Sequence, residues 1–506
     1  MNSQIRPIWL KLSVLLLLSL VFLRFLHLDA DFPSGVDWSG DLYTDEGWYA
    51  NAAVRDVISG KWYLPGDFNP AVNMPLGQLL LRLEFKVFGL SLWSARVLVA
   101  SAFTIVIMLA SLIVGRGAGL QAGLLTALIL TSSYIGFAFS RMAIMEPIGL
   151  LFVMLALFLV QRAQGKHAWL PIGVAAFVVG AAVLVKSNMI FALPLAVFLV
   201  AQNNKTLRQR VLLSVCIVAV FIAVVHGWQL VASYFFNSDY TYFNKINLQA
   251  RRVTSIGAWE HNVGQQCRNM LVLGKRFLMA SALLIAGATL LAPGFRANPV
   301  VRVLAVYAVG YFAMLTVIAY GPPRYFLPLT IPLAGLDAIG CVALAEWLHE
   351  RSGARIFVAS PYMVVAAIML LGWARVGSDV LSPRYSFVHM TSAVGTIIHQ
   401  REGRLAGVVL LGNMADSVAL ETGVTAINTV YGTLPLADRL RKYHPAYVLV
   451  HTDDIILLGS IHRLGGRETR LGAWDVYGNY YGRGQQVRLF GVDWKHPAGA
   501  GQLSPR

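Results

Sequence analysis

The sequence predicts a polytopic α-helical membrane protein with about 11 transmembrane helices, followed at residues 376–506 by an extracytoplasmic soluble α/β domain. Three observations carry that expectation. The 506 residues are 57% hydrophobic and only 13% charged, with a mean hydropathy of +0.62. Soluble domains carry roughly 25% charged residues, so an ordinary soluble protein and a disordered chain are both excluded. Apolar runs of spanning length recur from the N-terminus to about residue 373, and the remainder returns to a soluble balance of 13 Lys+Arg against 10 Asp+Glu. The 41 Lys+Arg against 25 Asp+Glu of the whole chain give a formal charge of +16. In so apolar a chain that excess reads as membrane orientation rather than nucleic-acid affinity. Cys216, Cys267 and Cys341 are few and far apart, with no spacing of a disulfide framework or a metal site.

A membrane-spanning helix needs roughly 20 apolar residues. Such runs lie near 8–28, 91–114, 118–138, 144–161, 169–185, 188–201, 211–232, 277–292, 300–319, 325–345 and 356–373, with 188–201 the shortest. The first has a basic start at Arg6 and Lys11. Leu28-Asp29-Ala30 is a poor cleavage site, so the run reads as a retained helix rather than a signal peptide. With a cytoplasmic N-terminus, the short inner segments collect 12 positive charges, among them Arg116, Arg162, Lys205, Arg296 and Arg351, against Glu346 and Glu350 alone. The positive-inside rule prefers this orientation, and an odd number of spans then sends the C-terminus outside.

Three stretches are too polar to span: outer loops at 29–90 and 233–276, and residues 376–506. The domain division is therefore 1–375 for the membrane part and 376–506 for the soluble part. In the latter, helices are expected at 387–402, Asp416–Thr422 and 435–443, with strands at Gly407–Leu411, Tyr447–His451, near 469–477 and at 486–491. No nucleotide-type glycine loop precedes any of these helices, no divalent metal is indicated, and no internal repeat stands out.

The first outer loop carries Asp41-Leu-Tyr-Thr-Asp45-Glu46-Gly-Trp48-Tyr49. Two carboxylates at the start of a helix-compatible stretch suit an N-terminal cap, because the helix dipole stabilises acids there. They also suit a general base at the membrane surface, which contributes ~10²–10⁴ in rate. On the same side of the membrane fall Ser140-Arg141 to Glu146-Pro147, then Val185-Lys186-Ser187-Asn188, then Gly321-Pro-Pro-Arg324-Tyr325-Phe326. Lys186 and Arg324 in apolar flanks either snorkel to the interface or meet a partner. Neither has an acid beside it in sequence, so an external phosphate is the expected partner, and an anionic lipid-linked substrate fits the set. His226 reads as a satisfied helix histidine and Asp337 as a relay or packed polar group. The aromatic and basic second loop (Tyr234 to Phe243, Arg251, Arg252, Arg268, Lys275) reads equally as an interfacial belt or an acceptor head-group site.

Asp45-Glu46-Gly-Trp-Tyr49-Ala, Asn73-Met-Pro75-Leu-Gly, Phe88-Gly-Leu-Ser-Leu-Trp-Ser-Ala-Arg96, Arg141 to Glu146-Pro147, Lys186 and Arg324-Tyr325-Phe-Leu-Pro328 occur in that order. On these residues the chain resembles the glycosyltransferase C superfamily, in the branch of protein O-mannosyltransferases and lipid A aminoarabinose transferases. Glu146 stands where relatives usually have Asp, and Asn73-Met74-Pro75 replaces a more usual His or Lys followed by two prolines. The resemblance covers roughly residues 8–345. It implies a multi-helix membrane enzyme of a bacterial inner (plasma) membrane that uses a polyprenyl-phosphate sugar on the outer face. The sugar would pass to a hydroxyl of a lipid, glycan or protein acceptor with inversion, without a further cofactor and without a nucleic-acid partner. Asp45 matches the family's catalytic acid, with Glu46 as a second catalytic candidate. Lys186 and Arg324 match its phosphate-contacting bases. Tyr49, Arg141, Glu146 and Tyr325 complete the implied substrate-binding set. The rival class is a transporter or lipid flippase, which would distribute charge through the membrane depth. A sensor would need a cytoplasmic output module that the sequence lacks.

Overall fold

The computed structural model describes residues 7–32, 45–163, 168–203, 206–249, 251–319, 321–352, 355–451, 455–476 and 486–494. Asp41, and the basic residues Arg6, Lys166 and Lys205 that enter the orientation argument, lie outside these.

Helix α1 (Pro7–Leu23) is followed by α2 (Asp45–Ser59), α3 (Pro75–Phe88), α4 (Leu92–Ala118), α5 (Leu120–Ser132) and α6 (Tyr134–Ser140). Then come α7 (Glu146–Arg162), α8 (Trp169–Val185), α9 (Ala192–Asn203), α10 (Leu207–Phe235) and α11 (Asn237–Phe243). The membrane part closes with α12 (Ile256–Leu291), α13 (Pro293–Ala297), α14 (Pro299–Thr316), α15 (Leu327–Ser352) and α16 (Arg355–Leu381). All eleven apolar runs are helical. By length and composition six described helical stretches can cross a membrane, and the pair α5 and α6, bent by 64°, makes a seventh if it is one span. The chain is an integral membrane protein. Its apolar side chains face outward as freely as inward: Leu15, Leu18, Phe22, Val215, Leu283 and Leu370 are all exposed. Lipid accepts that surface, and the helices satisfy their own backbone groups. α15 is the most enclosed span and packs against α5, α12, α14 and α16, whereas α10 lies at the periphery.

The second outer loop, expected only to be too polar to span, is largely helical. α11 and a π-helical turn (Asn244–Gln249) follow α10, and α12 is already helical from Ile256, with a kink at Gly274. The polar residues of its first half are too frequent for a span, yet Asn262 and Asn269 find main-chain partners and Gln266 donates to Asn262, which ties this helix to the rest of the fold outside the apolar run.

After α16, helix α17 (Ser386–Glu402) leads into a five-stranded sheet: β1 (Val409–Gly412), β2 (Thr425–Ile427), β3 (Tyr447–His451), β4 (Gly466–Asp475) and β5 (Gln486–Trp494). The order is β2-β1-β3-β5-β4, parallel at β1–β2 and β1–β3 and antiparallel around β5, with Leu410 opposite Tyr447 and Leu449 opposite Leu489. Helices α18 (Ala415–Thr422), α19 (Leu436–Tyr443) and α20 (Ile455–Arg463) connect the strands. The short β2 and α20 have no counterpart in the sequence reading, because three residues and an apolar nine-residue run give too little periodicity.

This α/β unit is seated on the first loop by buried polar contacts. Asp31 caps α17 through the Ser386 hydroxyl (2.6 Å) and the Phe387 N–H (3.0 Å). Glu421 accepts the Leu92 N–H at the start of α4 (2.5 Å). Asp67 is the hub. It pairs with Arg55 of α2 and with Arg439 of α19 (2.9 Å), and accepts the Asn428 N–H (3.2 Å). Arg55 also donates to the carbonyls of Phe68 (2.9 Å) and Ala426 (2.8 Å). At the other end of α2, a Cβ added to Gly47 would lie 2.2 Å from the Ser417 nitrogen, so only glycine lets α18 approach this closely. Asp416 accepts from Asn51 of α2 and from Asn428 (2.9 Å), and burial, opposed by the Arg55 charge, pushes its carboxyl up to about 6.

Removing the hub acid strands two buried guanidiniums, so Asp67→Ala should cost about 3–5 kcal/mol. Thermal unfolding in detergent, with limited proteolysis of the 386–494 segment, reads that loss. Asp416 titrates higher folded than unfolded, where about 3.9 is usual. Its contribution to stability is therefore complete below pH ~4 and lost as the pH rises through ~6. Asp416→Asn should flatten that slope and melt higher than the unsubstituted protein at pH 7, measured as Tm at pH 4.5, 6 and 7.

Candidate active site

Four helix ends bring their charges together at one end of the bundle. Asp45 is the first residue of α2, and Glu146 opens α7 with Pro147 behind it. Lys186 closes α8 in extended backbone, and Arg324 sits in the single turn Pro323–Phe326 ahead of α15. Acids at helix N-termini and a cation at a C-terminus match the helix dipoles. The turn holding Arg324 follows Pro322 and begins with Pro323, whose fixed φ suits the first position of a helical turn.

The four groups form one buried network. Arg324 Nη1 lies 2.5 Å from Asp45 Oδ2, and its Nε is 3.4 Å from Glu146 Oε1. Lys186 Nζ is 3.4 Å from the same Glu146 oxygen and donates to the Tyr49 hydroxyl at 2.5 Å. Its ammonium stands 4.3 Å over the Tyr49 ring and 5.9 Å from that of Tyr325. Asp45, Tyr49, Glu146, Lys186, Arg324 and Tyr325 are all less than 10% exposed. Burial pushes the Tyr49 hydroxyl upward against the Lys186 charge, so Tyr49 is neutral and accepts the lysine proton donor. The sequence reading expected no internal acid for Lys186 and Arg324. The fold corrects this: Glu146 lies between both, and Asp45 closes on Arg324, because acids distant in sequence meet at the helix ends.

Glu46 points elsewhere. Arg96 of α4 grips it with two parallel bonds (2.8 and 2.7 Å), and the Ala143 N–H adds a third (2.7 Å). Arg96 in turn donates to the carbonyls of Leu28 (2.6 Å) and Ala30 (2.5 Å). Arg141 lies apart from the Asp45 network, donating to the His27 carbonyl (2.6 Å) and stacking 4.7 Å from the Phe137 ring. Arg24, fully buried between Phe103 and Phe137, donates to the Gly136 carbonyl (2.7 Å). Arg96 stands in the ordered motifs without a site role in the sequence reading, and a lone arginine inside an apolar run was the only signal for Arg24.

Beside the network an apolar cavity of ≈ 310 Å³ opens between α9 and α14, lined by Phe191, Leu195, Val306, Tyr307, Tyr311 and Met314. The Tyr311 hydroxyl donates to the Tyr325 carbonyl (2.7 Å), joining this wall to the charged cluster. No group of three or more His, Cys, Asp or Glu side chains placed to hold a metal occurs among the described residues.

The fold and site are those of a helical membrane protein with a charged site at one end of its bundle, and comparison places it further. Residues 70–228 match the family model of dolichyl-phosphate-mannose-protein mannosyltransferases. The structure resembles ArnT from Cupriavidus metallidurans bound to undecaprenyl phosphate, with a TM-score of 0.64 at 15% identity over 96% of this chain and 98% of that one. It also resembles the archaeal oligosaccharyltransferase AglB from Archaeoglobus fulgidus, in complex with an inhibitory peptide and a dolichol-phosphate. That match has a TM-score of 0.54 at 11% identity over 96% of this chain and 75% of that one. No curated protein matches the sequence. The resemblance to the glycosyltransferase C superfamily read from the motifs is borne out by the family match and the shared fold.

Proposed function

We propose that the protein is a membrane glycosyltransferase that moves a sugar from a polyprenyl phosphate to the hydroxyl of a lipid, glycan or protein acceptor. The observation that carries this reading is the buried Asp45–Arg324–Glu146–Lys186 network, in a chain whose residues 70–228 match a mannosyltransferase family. The polar groups gather at one end of the bundle beside an apolar cavity, which suits a substrate with an anionic head and a hydrocarbon tail. A translocation path would string them through the membrane depth. We assign all eleven helical runs to spans, the N-terminus to the cytoplasm of a bacterial inner membrane, and the site and residues 376–506 to the outer face.

In this mechanism Asp45 takes the proton of the acceptor hydroxyl while its oxygen attacks the anomeric carbon. The bond from that carbon to the phosphate oxygen breaks, the phosphate leaves with the electron pair, and the centre inverts. Lys186 and Arg324 stabilise the charge that develops on the departing phosphate, in a water-poor setting where fixed cations act strongly. Glu146 holds the two cations at one place. Tyr49 and Tyr325 flank the lysine. Glu46, gripped by Arg96, positions the start of α2 rather than joining the chemistry, which revises its candidacy as a catalytic residue. Arg141 secures the segment after α1 and is left out of the substrate contacts.

Asp45→Asn, purified and supplied with a polyprenyl-phosphate sugar, should lose about 10²–10⁴ in kcat while still binding donor. Near-normal turnover would remove the general base. Lys186→Met should raise the donor KM, lower kcat, or both. Unchanged kinetics would return the lysine to a structural role at the interface.

A further inference from the structure

The first half of α12 is poorly enclosed, with Ile256 77% and Trp259 44% exposed. Yet Gln266 is fully buried and Asn262 nearly so. Asn262, Gln266 and Asn269 follow the i, i+4, i+7 spacing that puts side chains on one helical face. That face grips the segment leading into Arg324. Asn262 Nδ2 donates to the carbonyls of Thr316 (2.7 Å), Ile318 (3.0 Å) and Leu315 (3.4 Å). Gln266 supports it by donating to Asn262 Oδ1 (3.3 Å), and Asn269 donates to the Gly321 carbonyl (3.0 Å). Trp259 adds a bond to the Thr316 hydroxyl (3.1 Å). The stretch just before α12 bridges to the same segment, Ala319 N–H to Arg251 carbonyl (2.8 Å). A Cβ on Gly321 would lie 2.2 Å from Gln266 Oε1, so a larger residue there would displace the Gln266 carboxamide.

Three residues after Gly321 comes Arg324, in contact with Asp45. The end of α14 has no further helical turns to fix it, and Pro322 and Pro323 offer no N–H with which to anchor the turn. The carboxamide face of α12 supplies the missing anchors. We propose that Asn262, supported by Gln266 and Asn269, is a positioning residue for the lipid-phosphate site: the carboxamides fix residues 315–318 and Gly321 so that the Arg324 guanidinium stands where the donor phosphate binds. This inference rests on the donor-site reading of Arg324 given above.

A binding cycle tests it without needing the sugar or the acceptor. The full-length protein in detergent is titrated with undecaprenyl phosphate, as are Asn262→Asp, Arg324→Gln and the double variant. Asn262→Asp keeps the shape but turns an acceptor toward three carbonyls, and it should weaken binding about tenfold through the lost bonds. Arg324→Gln should also weaken binding. The double variant should bind no worse than Arg324→Gln alone, because a positioning residue has nothing to add once the group it positions is gone. Full additivity of the two losses, or unchanged affinity in Asn262→Asp, overturns the inference while leaving the donor site standing. Unchanged affinity in Arg324→Gln overturns the donor-site reading and this inference with it. Should Asn262→Asp fail to fold, Asn269→Ala, which gives up only the Gly321 bond, carries the same cycle with an expected loss of about threefold.

Discussion

A charge withdrawn from water must find a partner, and in this protein that requirement fixes the helix that begins with Asp45. α2 has a charged grip on each side. Glu46 is clamped by Arg96 to α4 and the bundle, and Arg55 is clamped through Asp67 and Arg439 to the α/β unit. Gly47 and Asn51 fill the remaining contact with α18. Neither half of the molecule alone holds α2, so the placement of Asp45 depends on both.

The same requirement shapes the network around it. Two acids and two bases, all buried, cancel to no net charge. Such a set is stable when empty only because each charge sits against another and, for three of the four, at the helix end its sign prefers. In the proposed reaction an incoming anionic head group would meet cations already held in place, at the cost of competing with Asp45 and Glu146 for them. Preorganised charge of this kind acts without rearrangement as the reaction proceeds. On the same proposal, the aromatic and aliphatic cavity beside Tyr311 would give a tail a place to lie without crossing the polar groups.

Much of the membrane part was legible because its signals are one-dimensional. Apolar runs of spanning length mark helices whatever their neighbours, and all eleven runs are helical. Lys186 and Arg324 were visible as charges in apolar flanks, and Asp45 and Glu146 as acids on the same side of the membrane. Their mutual pairing was not, since it joins positions 45, 146, 186 and 324 through tertiary structure. Sequence position likewise could not separate Asp45 from Glu46, two acids side by side on one helix. Only the fold turns one toward Arg324 and the other toward Arg96. Asp67 carried no signal at all: a single acid in a polar loop is ordinary until Arg55 and Arg439 are seen on either side of it. The helical first half of α12 was not read from the sequence for a different reason, because a polar surface helix lacks the apolar density that marks a span.

The hub at Asp67 also sets a timetable. Its contacts with Asn428 and Arg439, and that of its partner Arg55 with Ala426, join residues separated by about 360–370 positions along the chain. At translation rates of roughly 5–20 residues per second, the first loop waits on the order of 20–70 s after its own synthesis for these partners to emerge. Until then α2 has only its bundle-side clamp, and two arginines and an aspartate that will be buried remain hydrated. The placement of α2, and with it of Asp45, is thus completed only when residues 426–439 have been made.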